Sequence, residues 1–230
     1  MAIKFTVYLR EGALSNLTGP SWGPASKGVP KQLVILCHGV GSDGNDLISL
    51  APYLGNVLPD AVFVSPNGPE PYDMAPMGRQ WFSLIDRSPA KLAAGARRAS
   101  PVLNEFIDQQ LEKFALPPTA YALIGFSQGA MMVLFTGLRR PEAPRAILAL
   151  SGALVDPDTL QAEMKNHAPV LLGHGGADQV VPAFLSRDAE AALKAASVPV
   201  QTILSPQLGH SIDDVILGAG IAFLQKAFGA

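Results

Sequence analysis

The sequence predicts an α/β fold, with a mostly parallel central sheet and helices on both faces. Three observations lead there. Short runs that are almost wholly apolar recur along the chain, as strands buried on both faces require. Longer stretches with helical spacing of apolar residues alternate with them, which layers helices on a sheet. The 230 residues are 48% hydrophobic and 16% charged, enough for one large buried core. The expectation is one domain spanning 1–230, with no insertion large enough for a separate lid domain.

The elements follow in chain order. "KFTVYL" (4–9) alternates like a strand and is soon followed by Arg10 and Glu11. It lacks the apolar run and small-residue cleavage site of a signal peptide. Segment 17–31 is dense in Gly, Pro and Ser and reads as a surface connection. "QLVILC" (32–37) and "AVFVS" (61–65) are the next strands. Residues 65–82 form a long Pro-rich loop carrying Met74, Met77, Trp81 and Phe82, and long loops in compact domains are often functional. Met77, Trp81 and Phe82 are expected to line a substrate cleft; the plain alternative is a loop whose aromatics pack on the core.

Leu103, Phe106, Ile107, Leu111 and Phe114 then recur at helical spacing, with Ser100 and Pro101 expected as N-cap and first turn. Strand "AYALIG" (120–125) leads into the apolar helix pattern "QGAMMVLFTGL" (128–138). "AILALSG" (146–152) and "PVLLGHG" (169–175) are further buried strands. "FLSRDAEAALKAA" (184–196), after Pro182, is rich in helix formers. The last strand, "VQTILS" (200–205), precedes a helix from about 212 to 228.

Composition excludes several classes. A net charge of −2 gives no basic footprint for nucleic acid, and no Lys/Arg run suggests an anionic membrane surface. No stretch approaches the ~18 apolar residues of a transmembrane segment. The single cysteine, Cys37, allows no intrachain disulfide and fits a reducing compartment, so the expected location is cytoplasmic.

The chemistry centres on "LIGFSQGAMM", where Ser127 stands between Gly125 and Gly129. G-x-S-x-G alone is weakly specific. Its setting carries more weight, because a buried strand runs directly into it and a helix leaves it, as a nucleophile elbow requires. The helix N-terminus favours negative charge developing at the serine. The plain alternative is a serine capping a buried helix. A serine nucleophile needs a base and an orienting acid, which this topology supplies in the order Ser, acid, His. Of His38, His167, His174 and His210, only His210 follows the last strand. It lies in a short loop at that strand's C-terminal end, where sites of open α/β sheets gather. Asp178, after "PVLLGHG", is the expected acid; Asp156 and Asp158 are its rivals, with Asp156 the alternative. Asp213 and Asp214 suit the start of the last helix.

The oxyanion hole needs two backbone N–H donors. Gln128, next after the nucleophile, should supply one and Val40, after the early strand, the other. Gly39, Gly41 and Gly44 also spell the dinucleotide-binding G-x-G-x-x-G. That rival lacks its ribose-binding acid, since the next strand ends in Ser65, Pro66 and Asn67. A catalytically dead relative used for binding would have lost a triad member, and none is missing. Cys37, inside a buried strand, reads as inert core rather than a thiol nucleophile.

Together, "CHGVGSDGNDL", "GRQWFSL", "GFSQGAMM", "HGGADQVVP" and "LGHSID" resemble the phospholipase/carboxylesterase family in order and spacing along most of the chain. That family includes bacterial carboxylesterases and acyl-protein thioesterases. The resemblance implies an α/β-hydrolase fold without a large lid, with Ser127 as nucleophile, Asp178 as acid and His210 as base. It also implies Val40 and Gln128 as oxyanion donors and Trp81 as the aromatic near the cleft. Cys37 replaces a usual aliphatic residue, Ala130 a common third glycine and Ser83 a frequent Asp. The activity expected is hydrolysis of small carboxylic esters of short-to-medium acyl chains through an acyl-enzyme, with no metal or organic cofactor. Lysophospholipase or acyl-protein thioesterase action, and peptidase or lactone hydrolysis, are the alternatives on the same site. The apolar residues of loop 65–82 offer a homodimer surface.

Overall fold

The computed structural model describes residues 17–229. The expected strand 4–9 lies outside the described residues. Among the described residues, seven strands form the main sheet: β1 (Ser21–Trp22), β2 (Gln32–Cys37), β3 (Ala61–Val64), β6 (Tyr121–Phe126), β7 (Ile147–Leu150), β8 (Val170–Gly175) and β9 (Val200–Ser205). Their order is β1-β3-β2-β6-β7-β8-β9, and all neighbours are parallel except β1, which runs antiparallel to β3. A separate two-stranded ribbon joins β4 (Glu70–Pro71) to β5 (Arg79–Gln80). The helices are α1 (Gly44–Leu47), α2 (Ala51–Gly55), α3 (Pro89–Lys113), α4 (Gln128–Arg139), α5 (Pro157–Glu163), α6 (Phe184–Ala195) and α7 (Asp214–Phe228).

The near-continuous apolar strands are explained by burial on both faces. Along β2, Leu33, Ile35 and Cys37 enter one core and Val34 and Leu36 the other. Strand β6 divides alike, with Tyr121 and Leu123 on one side and Ala122 and Ile124 on the other. Successive side chains alternate faces, so every residue of such a strand must be apolar. Helices α3 and α4 contribute to the first core, α2 and α7 to the second.

Two expectations need correction. Helix α3 does not begin at Ser100: it starts at Pro89 and carries Pro101 in its interior. A mid-helix proline loses one hydrogen bond and crowds the preceding turn. Here one buried stripe, Ala96, Ala99, Leu103, Phe106, Ile107 and Leu111, runs through it and holds both halves to the core. Segment 17–31 is not all connection, since it supplies β1, whose Trp22 ring lies 5.8 Å from that of Phe63. A two-residue strand leaves no periodic signal.

Candidate active site

Ser127 stands at the junction of β6 and α4 with φ 55° and ψ −116°. Such a backbone is costly for a non-glycine residue, on the order of 1–3 kcal/mol, and persists only when its surroundings fix it. They do. The Ser127 N–H donates to the Leu150 carbonyl at 2.8 Å, and its own carbonyl accepts from the Met131 N–H at 3.2 Å. A side chain at Gly125 would strike the Gly129 carbonyl, and one at Gly129 would strike the Cys37 carbonyl. Strand, turn and helix therefore close only with glycine on both sides of the serine.

His210 and Asp178 come from the loops after β9 and β8. The parallel register pairs Gly175 with Ser205. Beyond it, Gly176 N–H donates to Ser205 O at 2.7 Å and Ala177 N–H to Leu208 O at 2.9 Å. These ties place Asp178 Oδ2 2.7 Å from His210 Nδ1. The other oxygen, Oδ1, accepts from the N–H groups of Val180 (2.8 Å) and Val181 (2.9 Å). Burial pushes the Asp178 pKa up. The His210 hydrogen bond, the two backbone donors and the charge of His210 outweigh it, leaving the carboxyl below its ordinary range. The His210 ring lies 4.8 Å from that of Phe126, the residue before Ser127.

The rivals are engaged elsewhere. Asp156 is the N-cap residue before α5 and accepts from Arg97 at 2.6 Å. Asp158 sits in the first turn of that helix. Asp213 caps α7, accepting from the Ile216 N–H at 2.9 Å, and Asp214 opens that helix. His174 is fully buried, with Nδ1 2.6 Å from Ser186 Oγ and Nε2 2.8 Å from Val181 O; that Nε2 also lies 3.4 Å from Asp178 Oδ2, farther than the 2.7 Å of His210 Nδ1. His167 is exposed before β8, at the opposite end of the sheet. Burial pushes the Cys37 thiol far up and suppresses its thiolate.

Gln128 is the first residue of α4, so its N–H has no acceptor inside the helix. Val40 lies in the turn after β2, and the glycine before it, Gly39, faces the Ser127 side chain. The turn's glycines serve packing: Tyr72 covers Gly41, and Gly44 closes on the Ser65 carbonyl. The helix that follows the turn has only four residues.

Trp81 and Phe82 differ from their expected cleft-lining position. Both are fully buried, so neither offers surface to a substrate. Apolar area of that size is stabilised more by the core than by an open cleft. Trp81 instead donates its backbone N–H to Gln128 Oε1 (2.9 Å) and its indole N–H to His38 O (3.0 Å). Gln128 Nε2 donates to Phe82 O at 2.6 Å. Met77 is 79% exposed. His38 is buried, its Nε2 accepting from the Gly68 N–H at 2.8 Å, which leaves Nδ1–H to donate to Gly39 O at 2.7 Å. Burial pushes the His38 pKa down, in keeping with this neutral tautomer. The Gln128 and His38 side chains were not legible as site residues. The only hint was a polar residue at the tightly packed end of an apolar element.

Fold and site geometry together define an α/β-hydrolase. The family model described as Phospholipase/Carboxylesterase matches residues 25–228. Esterase YpfH of Escherichia coli (strain K12) is 32% identical over 185 residues, 80% of this chain and 78% of its own. Acyl-protein thioesterase 1 of Kluyveromyces lactis is 31% identical over 179 residues, 72% of this chain and 78% of its own. The crystal structure of esterase PE8 has a TM-score of 0.87 at 42% identity, covering 92% of this chain and 99% of that one. The chain belongs to the phospholipase/carboxylesterase family and is a serine hydrolase of the carboxylesterase class. Among the described residues, no helix is long and apolar enough to cross a membrane.

Proposed function

We propose that the protein hydrolyses carboxylic esters of short-to-medium acyl chains through an acyl-enzyme formed on Ser127. The observation that carries this is the 2.7 Å bond between His210 Nδ1 and Asp178. It fixes the tautomer in which Nε2 is free to accept the proton of Ser127. Ser127 Oγ attacks the ester carbonyl as His210 takes its proton. The tetrahedral oxyanion is held by the N–H groups of Val40 and Gln128, each donor contributing about 3–4 kcal/mol in a comparable site. Collapse expels the alcohol, protonated by His210. Water, activated by the same histidine, then releases the acid and restores Ser127. Asp178 stabilises the imidazolium formed in each step. No step calls on a metal or an organic cofactor.

A second reading, cleavage of acyl thioesters, is favoured by the similarity to acyl-protein thioesterase 1 of Kluyveromyces lactis. The same site would perform it, with a thiol as leaving group. Labelling by a fluorophosphonate, with the modified peptide identified, tests the nucleophile. Ser127→Ala should lose labelling and on the order of 10⁶ in kcat. Normal turnover by that variant would refute the assignment. A panel of p-nitrophenyl esters and matched thioesters of graded chain length separates the two readings by kcat/KM.

A further inference from the structure

The mechanism above uses Val40 and Gln128 through their backbone N–H groups alone. We propose that the Gln128 side chain is a positioning group that sets the spacing of those two donors, acting through a bracket formed by residues 78–82. This rests on the oxyanion role proposed for Val40 and Gln128.

The bracket is fastened at one end to the nucleophile elbow. Gln128 accepts from the Trp81 N–H at 2.9 Å and donates to the Phe82 carbonyl at 2.6 Å. One primary amide thus satisfies two successive backbone groups, a donor and an acceptor, where water cannot reach. Gln128, Trp81 and Phe82 are all buried to within 1%. At its other end the bracket grips the loop that carries Val40, on both sides of that residue. Two positions before it, the His38 carbonyl accepts from the Trp81 indole at 3.0 Å. One position after, the Gly41 N–H donates to Arg79 O at 2.8 Å; two after, the Ser42 carbonyl accepts from the Arg79 N–H at 2.7 Å. Gly78 touches the Gly41 carbonyl so closely that a Cβ there would overlap it.

Arg79 anchors the bracket from behind. Its guanidinium donates to Gly68 O at 2.8 Å and to Pro69 O at 2.7 Å. The Gly68 N–H meanwhile donates to His38 Nε2 at 2.8 Å, which closes the circuit on the residue that begins the loop. Residues 78–82 thus hold the Val40 loop on both sides, in addition to the direct packing of Gly39 on the Ser127 side chain. If the 78–82 segment moves, the Val40 donor moves with it, while the Gln128 donor stays on α4. An oxyanion hole works only with its donors about 2.7–3.1 Å from one oxygen position. A displacement of about 1 Å in such a site costs on the order of 10²-fold in rate. Interactions realised only with the oxyanion affect kcat and leave KM nearly unchanged.

The test uses the full chain with Gln128→Met, which keeps length and removes both polar atoms, and Trp81→Phe, which removes the indole bond to His38. Initial rates on p-nitrophenyl butyrate give kcat and KM. Inhibition by n-butylboronic acid, which places an anionic oxygen in the hole, reads transition-state affinity. Gln128→Met should lower kcat about 10–100-fold with KM changed less than about threefold, and weaken the boronate by a similar factor. The double variant should lose little more than the worse single one, because both break the same circuit. A folded Gln128→Met enzyme with kcat and boronate affinity within about twofold of the parent overturns the proposal, even if its melting temperature falls. If Gln128→Met does not fold, Trp81→Phe is judged by the same criteria. Ser127→Ala keeps the two readings apart. If it is active, both readings fail. If it is inactive while Gln128→Met and Trp81→Phe keep full activity, the bracket alone is refuted.

Discussion

Asp178→Asn is the sharpest perturbation of the proposed mechanism, because it exchanges one atom and leaves the packing alone. In the parent, Oδ1 accepts from Val180 and Val181 N–H groups and Oδ2 faces His210 Nδ1 at 2.7 Å. In the variant, the amide oxygen must keep the two backbone donors, since turning it would aim an NH₂ group at them. The amide nitrogen then faces His210, which has to offer Nδ1 as an acceptor. The proton is thereby moved to Nε2, the atom needed as base. A wrong tautomer in a Ser-His-Asp arrangement costs on the order of 10⁴ in kcat, about 5 kcal/mol in barrier. The fold should survive, because the backbone bonds of Asp178 remain. Initial rates on a chromogenic ester, beside Asp156→Asn, measure the effect. Asp156 is bound to Arg97 rather than His210, so its variant should stay within about twofold of the parent. Retention of more than about a tenth of the activity by Asp178→Asn, or a larger loss in Asp156→Asn, would rule out Asp178 as the residue that orients His210.

Three further outcomes follow from the same geometry. The folded pKa of Asp178 is depressed, so the stability it contributes is complete above its unfolded value of about 3.9 and lost as pH falls through the folded value. The difference in melting temperature between the parent and Asp178→Asn should therefore hold from pH 7 to about 5 and shrink below about pH 4; a constant difference down to pH 2 would contradict this. Gly125→Ala forces a side chain into the Gly129 carbonyl and should cost more than about 10²-fold in the rate of fluorophosphonate labelling, because the elbow must open to fit it. Glu163 binds Arg139 (2.9 Å) and Arg97 (2.8 Å), and these hydrogen bonds pull its pKa down to about 2. Glu163→Gln should lower the melting temperature by only about 2–4 °C at pH 7, because these groups are partly solvated, and the difference should shrink below about pH 4 and be lost only as pH falls through about 2.

Much of the layout was written locally. Strands β2, β3, β6, β7, β8 and β9 and helices α4, α6 and α7 were legible because apolar runs, or helical spacing, mark consecutive residues, whereas the short ribbon of β4 and β5 lay unmarked inside the 65–82 loop. The serine at the strand-to-helix turn was legible for the same reason, with its glycines two residues to either side. What failed was also local in appearance. Pro101 read as a helix start, although the stripe from Ala96 to Leu111 carries α3 through it. Trp81 and Phe82 read as cleft residues because aromatics in a long loop look alike whether they face outward or inward.

The α/β layering, the strand–turn–helix around Ser127, and the chain order in which an acid and a late histidine follow it can all be read along the chain. These depend on alternation, spacing and order, which survive in one dimension. Which carboxylate meets His210 depends on the folded arrangement, since Asp156 and Asp178 both follow a strand. Strand β8 lies beside β9, and that adjacency brings Asp178 across 32 residues to the histidine. The folded arrangement likewise decides that the Gln128 side chain grips Trp81 and Phe82 across 47 and 46 residues. Such pairings are set by the order of strands in the sheet and by the need to satisfy buried polar groups, and neither leaves a periodic trace in the chain.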